Sequence, residues 1–270
     1  MGGDVATGPW PRETVDRLAS LGSRARFIRG NSDREVVARF DLGEGLDWQY
    51  PDDAVERVTA WTARRLAREQ RDFLATFVEQ LTVEIVGLGS VLFCHGSPRS
   101  DEEIITRATS PDRMSSMLSG VTKDVVVCGH THVQFDRVAG GQRVVNAGSV
   151  GMPYEHRRGA YWALLGPDVR LQRTEYDFER AAQRVHNRVP RGSGVREGLA
   201  GGPWKCACRG DDGVLRAAGR GTRSERPAVR GGTRSACRRP QAKSSFHPDC
   251  ESSTMGPRLN TITGWRLGVL

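Results

Sequence analysis

The stretch Val125-Val126-Val127-Cys128-Gly129-His130-Thr131-His132 places a glycine and two histidines directly after four apolar residues. A short apolar run that ends in this way is typical of a buried strand. Three further clusters combine a glycine or a polar turn with Asp, Asn or His, and these are Gly3-Asp4, Gly30-Asn31-Ser32-Asp33 and Cys94-His95-Gly96-Ser97. At least three of the four clusters directly follow an apolar run. Residues just past the carboxyl ends of strands converge in one crevice of an α/β sheet, so we expect the clusters to form one site.

Helical and strand-like patterns alternate through residues 1–189. Apolar residues at helical spacing, together with Pro, Ser or Asp at the starts, predict helices over 11–21, 52–77, 110–118 and 177–185. Apolar or alternating runs predict strands over 125–128, 143–145, 160–165 and 169–175, and a hairpin of 83–86 with 90–94. Strands interleaved with helices predict an α/β or α+β fold with more than one buried sheet.

The composition changes after residue 189. Residues 1–189 hold 25 basic and 26 acidic side chains, a net charge of −1, whereas residues 190–270 hold 15 basic and 6 acidic ones, a net charge of +9. The positive charge of the chain therefore lies in the tail. Leu, Ile, Val and Phe supply only 11 of those 81 residues, too few to offset the entropy of ordering the chain. We therefore predict a domain over 1–189 and a disordered basic tail over 190–270. The tail is either a nucleic-acid-binding arm or the translation of GC-rich DNA in an unselected frame.

Membrane-spanning and exported classes do not fit this sequence. Its apolar runs fall far short of the roughly 18 residues of a spanning helix, and its first residues lack the basic and apolar regions of a signal peptide. Cys94 and Cys128 each end an apolar run and are predicted to be buried thiols. The four tail cysteines, with His247, lack the spacing of a zinc finger or ribbon. We expect a cytoplasmic protein in a reducing compartment.

The candidate ligands favour a transition metal. One Asp, one Asn and three His form a set that suits Mn, Fe, Zn or Ni better than Ca or Mg, which prefer all-oxygen shells. Each residue alone has an ordinary explanation, since a Gly-Asp pair is a common turn and a single His is usually solvated or satisfied in the core. The order of the set is what indicates a site. His156 and His186 lie outside it and are predicted to be solvated.

This order resembles the calcineurin-like metallophosphoesterase superfamily, whose pattern along the chain is D-x-H, G-D, G-N-H/C-D, H and G-H-x-H. The resemblance runs from about Gly3 to Tyr176. The stretches Asn146-Ala147-Gly148-Ser149-Val150-Gly151-Met152-Pro153 and Gly159-Ala160-Tyr161-Trp162 look like the small bacterial phosphodiesterase branch. The resemblance implies a two-sheet β-sandwich flanked by helices. It also implies two divalent metal ions, of which manganese is the foremost candidate.

The resemblance implies a role for each residue of the set. Asp4 would bridge the two metals, Asn31, His95 and His130 would complete one of them, and His132 would bind the other. Asn31, Asp33 and His95 are the candidate catalytic residues. Two cations about 3.5–4 Å apart can activate a hydroxide and neutralise charge on phosphate oxygens.

The sequence departs from the family pattern in two places. The D-x-H motif is missing, because the chain begins three residues before Asp4. An in-frame Asp-x-His after an apolar strand, in the DNA about 100 bases upstream of Met1, would show that the gene begins earlier. The metal that needs D-x-H then keeps only Asp4 and His132, so we expect about one tightly bound metal per chain and weak turnover. Many relatives carry His where this chain has Ser32, which has no useful pKa near neutrality for protonating a leaving group.

The resemblance implies a phosphoester hydrolase for small phosphodiester or nucleotide-like substrates. The main alternative is a non-catalytic binding module on the same fold, which loss of D-x-H could produce. A nucleic-acid-binding protein driven by the basic tail is a weaker third hypothesis. Bound metal with diesterase turnover separates the first from the second. A steeply salt-dependent affinity for DNA that vanishes without residues 190–270 would support the third.

Overall fold

The structure, a computed structural model, describes residues 1–43, 53–139, 141–189 and 267–269. The helices in these ranges are α1 Pro11–Ala19, α2 Asn31–Leu42, α3 Ala54–Ala63, α4 Arg68–Ala75, α5 Pro111–Met117 and α6 Phe178–Arg188. The strands are β1 Gln80–Ile85, β2 Gly89–Cys94, β3 Val125–Cys128, β4 Phe135–Ala139, β5 Gln142–Asn146, β6 Ala160–Leu165, β7 Val169–Thr174 and β8 Leu267–Val269. Within the described residues, no helix is long and apolar enough to cross a membrane.

The strands form two sheets. The larger has the order β1-β2-β3-β5-β4, in which β2, β3 and β5 run parallel and the edge strands β1 and β4 pair antiparallel. The smaller has the order β7-β6-β8 and is antiparallel. A mixed sheet with helices confirms the predicted α/β class, and the β1–β2 hairpin is also confirmed.

The alternation of side chains along β2 and β3 divides the core. Val91 and Phe93 point into a cluster that also holds Ala163 and Leu165 of the smaller sheet. The intervening residues of both strands, Leu92, Cys94, Val126 and Cys128, pack with Met114 and Met117 of α5. Successive strand residues face opposite sides, so the larger sheet is covered by the smaller sheet on one face and by α5 on the other.

Residues 1–10, which include Asp4, form no helix or strand. The Ile28 N–H donates to the Met1 carbonyl at 3.2 Å, and Ile28 also forms a parallel bridge with Val78. Ala6 and Phe77 belong to an apolar cluster that also holds residues of α1, α2 and α4. This packing holds Asp4 against the start of α2.

Three parts of the structure differ from the prediction. The single helix predicted over 52–77 is wrong, because the chain breaks between α3 and α4. The Gln70 side chain accepts from the Ala67 N–H at 2.9 Å and donates to Asp16 at 2.6 Å, and these bonds begin a new helix. Neither α2 nor β4 was predicted. The helix α2 begins at Asn31, within the predicted cluster of residues 30–33.

A short strand from the tail pairs with β6. Leu267–Val269 forms β8, antiparallel to 163–165, although the composition predicted disorder there. Residues 190–266 lie outside the described residues, so the disordered tail and the domain boundary near 189 stay predictions.

Limited proteolysis is expected to remove the tail first, because its composition offers little apolar surface to protect the backbone. A chain that ends at Arg188 should keep the metal content and the denaturation midpoint of the full chain. The measurement is the mass of the resistant fragment together with urea unfolding of both chains. A resistant fragment that extends past residue 230, or a clear loss of stability when β8 is deleted, would contradict this prediction.

Candidate metal centre

Asp4 lies in a loop that approaches the first turn of α2 very closely. The Ser32 N–H donates to Asp4 Oδ1 at 2.9 Å. A Cβ at Gly30 would come within 2.0 Å of the same oxygen, so only glycine fits at that position. Asp4 itself has φ +56°, in the left-handed region that costs non-glycine residues energy. The backbone therefore holds the carboxylate in one place at the expense of local strain.

Asp33 stabilises the loop that carries Asp4. Its fully buried carboxylate accepts the N–H groups of Asp4, Val5 and Gly30 at 2.7, 2.9 and 3.0 Å. Burial and the neighbouring Asp4 charge raise the pKa of Asp33 to about 6, although the three N–H groups oppose this shift. These contacts are those of a residue that positions Asp4. They give Asp33 no exposed oxygen for the catalytic role predicted from sequence.

His95 follows β2 and points its ring at Asp4. Its Nδ1 lies 2.7 Å from the Gly2 carbonyl, which can only accept, so the proton belongs on Nδ1. The opposite nitrogen, Nε2, lies 3.1 Å from Asp4 Oδ2 and is buried without an aligned hydrogen bond. Burial acts to lower the pKa of His95, but contact with the Asp4 carboxylate outweighs it and the pKa is raised. Nε2 and Asp4 thus share a position that a cation can occupy.

His130 and His132 follow β3 on a strained turn. Their φ angles are +62° and +59°, and with Asp4 they are the non-glycine residues of the described chain that have positive φ. Burial lowers the pKa of both histidines, which keeps the imidazoles neutral with a free lone pair. His132 Nδ1 lies 2.7 Å from the Met152 carbonyl. A backbone carbonyl on the second ring nitrogen is the usual way in which a metal-binding histidine is oriented.

Asn146 fixes the turn that carries these two histidines. This fully buried amide donates to the Gly129 carbonyl at 2.6 Å and to Thr131 Oγ1 at 3.0 Å. Asn146 begins one of the stretches that resemble the family, but no role was predicted for it. Its position at the end of a strand beside β3 was the signal that could have indicated one.

Three of the predicted ligands converge in the structure. Ligand atoms of Asp4, His95 and His130 all lie within 4.8 Å of one another. Asn31 sits between Gly30 and Ser32, and its Oδ1 is buried without a hydrogen-bond partner while its side chain hydrogen-bonds Glu35. His132 lies outside this group, although its pKa responds to the charge of Asp4.

These residues fit a divalent transition metal. An orphaned buried amide oxygen and an unaligned buried imidazole nitrogen both need a partner, and a cation accepts lone pairs from both. Nitrogen and oxygen donors of this kind suit Mn, Fe, Zn or Ni. His156 and His186, predicted to be solvated, are both exposed.

A cavity of about 260 Å³ lies elsewhere on the surface and is lined by arginines, with Pro11 and Glu13. Its arginines form hydrogen bonds and ion pairs within the protein. Arg65 donates to the Trp61 carbonyl at 3.2 Å, Arg12 donates to the Arg65 carbonyl, and Arg188 pairs with Glu13 at 2.9 Å. Cations near the carbonyl ends of helices are stabilising, which accounts for this cluster without a ligand.

Comparison with known proteins agrees with this geometry. Residues 2–166 match the calcineurin-like phosphoesterase superfamily domain. A hypothetical protein from Pyrococcus horikoshii OT3 has a similar structure, with a TM-score of 0.58 and 20% identity over 72% of this chain and 81% of that one. A metallophosphoesterase from Sphaerobacter thermophilus is similar with a TM-score of 0.53 and 24% identity, over 73% of this chain and 85% of that one.

At these identities the two structures show a shared fold alone. No curated protein matches the chain. The family match carries the assignment, because it spans more than half of the residues and includes Asp4, His95 and His130. The chain therefore belongs to the calcineurin-like phosphoesterase superfamily.

Proposed function

We propose that this protein is a metal-dependent phosphoester hydrolase that acts on small phosphodiesters or nucleotide-like substrates. The observation that carries the proposal is the convergence of Asp4, His95 and His130 within 4.8 Å. Members of the superfamily are typically hydrolases, and the strained backbone at Asp4 and His130 is the kind of cost that functional sites bear.

The protein's own residues prepare this site for an anion. Divalent cations, when bound, would polarise phosphate oxygens and lower the pKa of water. Asp4 brings one negative charge, whereas His95, His130 and Asn31 act as neutral ligands, so the loaded site keeps a positive charge that attracts a phosphate. The Gly2 and Met152 carbonyls hold the rings of His95 and His132 in place.

Ser32 stands where many relatives carry a histidine, and its hydroxyl contacts Thr7 Oγ1. A serine hydroxyl has no pKa suited to protonating a leaving group near neutral pH. We therefore expect esters with acidic leaving groups, such as nitrophenyl esters, to be hydrolysed faster than alkyl esters.

We also propose how the metals are shared. Asp4, Asn31, His95 and His130 would hold one ion tightly, and Asp4 with His132 would hold a second ion loosely, with manganese in both positions. A cytoplasmic location is part of the same proposal. It is supported by Cys94 and Cys128, which are buried free thiols, the usual state of cysteines in a reducing compartment.

Metal analysis joined to a diesterase assay tests the proposal. The 270-residue chain, stripped by a chelator and reloaded with manganese, is expected to retain about one metal per chain after desalting. It should hydrolyse bis(p-nitrophenyl) phosphate slowly, and only when manganese is present, because a loosely held second ion limits a two-metal reaction. Tight metal binding with no turnover of any phosphodiester would instead support a non-catalytic binding module.

A further inference from the structure

Tyr154 packs its ring against a predicted metal ligand. The rings of Tyr154 and His132 have centroids 5.1 Å apart and an interplanar angle of 19°, which is an offset stack. The two residues are also joined by a backbone hydrogen bond, in which the Tyr154 N–H donates to the His132 carbonyl at 3.1 Å. The tyrosine ring is therefore held beside His132, a predicted ligand of the second metal.

The loop that carries Tyr154 is held at several further points. His132 Nδ1 contacts the Met152 carbonyl at 2.7 Å, and the Met152 N–H donates to Ser149 Oγ at 3.0 Å. On the other side of the tyrosine, Glu155 accepts from the Gln134 N–H at 2.6 Å. A surface that is already ordered loses little entropy when a ligand binds to it.

Tyr154 is nevertheless 46% exposed, unlike the core tyrosine Tyr161, which is 7% exposed. One face of its ring covers His132, so much of the remaining surface is open to solvent. An exposed, rigid aromatic ring is a platform on which planar groups stack, and nucleobases do so without sequence preference. In a nucleotide, a sugar separates the base from the phosphate, so a base that stacks on Tyr154 leaves the phosphate free to bind a metal held by His132.

We propose that Tyr154 is a specificity-determining residue, whose ring binds the planar group of a nucleotide-like phosphoester at the metal centre. This inference rests on the proposed function, and it names the substrate class through one side chain. A different role for Tyr154, support of the His132 ring alone, would change metal binding and leave ligand preference as it was. The two roles therefore have different experimental signatures.

Two phosphate ligands that differ only in the base separate these roles. Calorimetry on the manganese-loaded 270-residue chain would measure the affinities for adenosine 5′-monophosphate and ribose 5-phosphate. The wild-type chain is expected to bind the nucleotide at least about tenfold more tightly, as base stacking implies. Tyr154→Leu should bring the two affinities within about twofold, and Tyr154→Phe should keep the preference. Manganese content should be the same in all three proteins.

Tyr176→Leu is the matched control, since Tyr176 is 41% exposed and contacts Phe178 rather than the metal centre. It should behave as the wild type does. The proposal is overturned if the wild type has no preference for the nucleotide, or if Tyr154→Leu lowers metal content and leaves the ratio of affinities unchanged. A base preference without any hydrolysis would support the platform and count against the hydrolase, so the two failures can be told apart.

Discussion

His130→Ala is expected to lower bound manganese and phosphodiester hydrolysis by about a hundredfold or more. The substitution removes one of the three ligands whose atoms converge within 4.8 Å. Loss of an outer partner of a metal ligand already costs about 10–100-fold in affinity or activity, and loss of the ligand itself should reach at least the upper end of that range. His95→Ala is expected to act in the same direction. Metal analysis after desalting and an assay with bis(p-nitrophenyl) phosphate measure both effects.

His156→Ala is the matched control, because His156 is exposed and lies outside the cluster. It should leave metal content and activity unchanged. Equal losses in the two variants would mean that His130 has been wrongly assigned as a ligand.

The backbone at His130 allows a second variant that separates folding from metal binding. At φ +62°, alanine bears the steric cost of the left-handed region, about 1 kcal/mol, whereas glycine does not. In metal-free buffer, His130→Gly is therefore expected to unfold at a higher urea concentration than His130→Ala. Both should bind manganese equally poorly. A glycine variant that recovers metal binding would show that the site needs the left-handed backbone conformation at this position rather than the imidazole.

The location of the site was predictable from sequence because it depends on local order along the chain. His95 and His130 directly follow apolar runs, and adjacent parallel strands place their carboxyl ends side by side. Residues 30–33 were expected to lie at this edge, and the contact of Ser32 with Asp4 places them there. The interleaved strands and helices gave the α/β class in the same way.

The features that the sequence did not predict depend on contacts between distant segments of the chain. Residues 31–42 show Val36, Val37 and Phe40 at helical spacing, but their first residues also match a polar turn, and only packing against α3 and α4 decides for a helix. Asp33 accepts bonds from residues 28 and 29 positions earlier, which no local pattern reveals. The stack of Tyr154 on His132 likewise spans two loops. In each case the contact joins residues that are far apart in the sequence, so no local pattern predicts it.

Asp33→Ala is expected to cause a large loss of stability even when no metal is present. The buried carboxylate accepts three backbone N–H groups, from Gly30, Asp4 and Val5. A buried donor left without a partner costs about 1–3 kcal/mol. The Gly30 bond is buried and the Asp4 and Val5 bonds are partly buried, so we expect the free energy of unfolding to fall by about 3 kcal/mol. Asp33→Asn keeps one acceptor oxygen but turns an amide toward the other donors, and we expect a smaller loss. Urea denaturation in chelator-containing buffer measures the effect apart from metal binding.

Asp177→Ala provides the comparison, because Asp177 is an exposed aspartate that accepts one backbone N–H, from Arg180 at 2.9 Å, at the start of α6. Water replaces that bond when the side chain is removed, so the loss should be about 1 kcal/mol. The difference between the two variants measures what burial adds to the Asp33 contacts. If Asp33→Ala were no more destabilising than Asp177→Ala, the carboxylate would not be what holds the Asp4 loop. If its stability falls as expected, the same variant should also lose metal when manganese is restored, because Asp4 would no longer be fixed opposite His95.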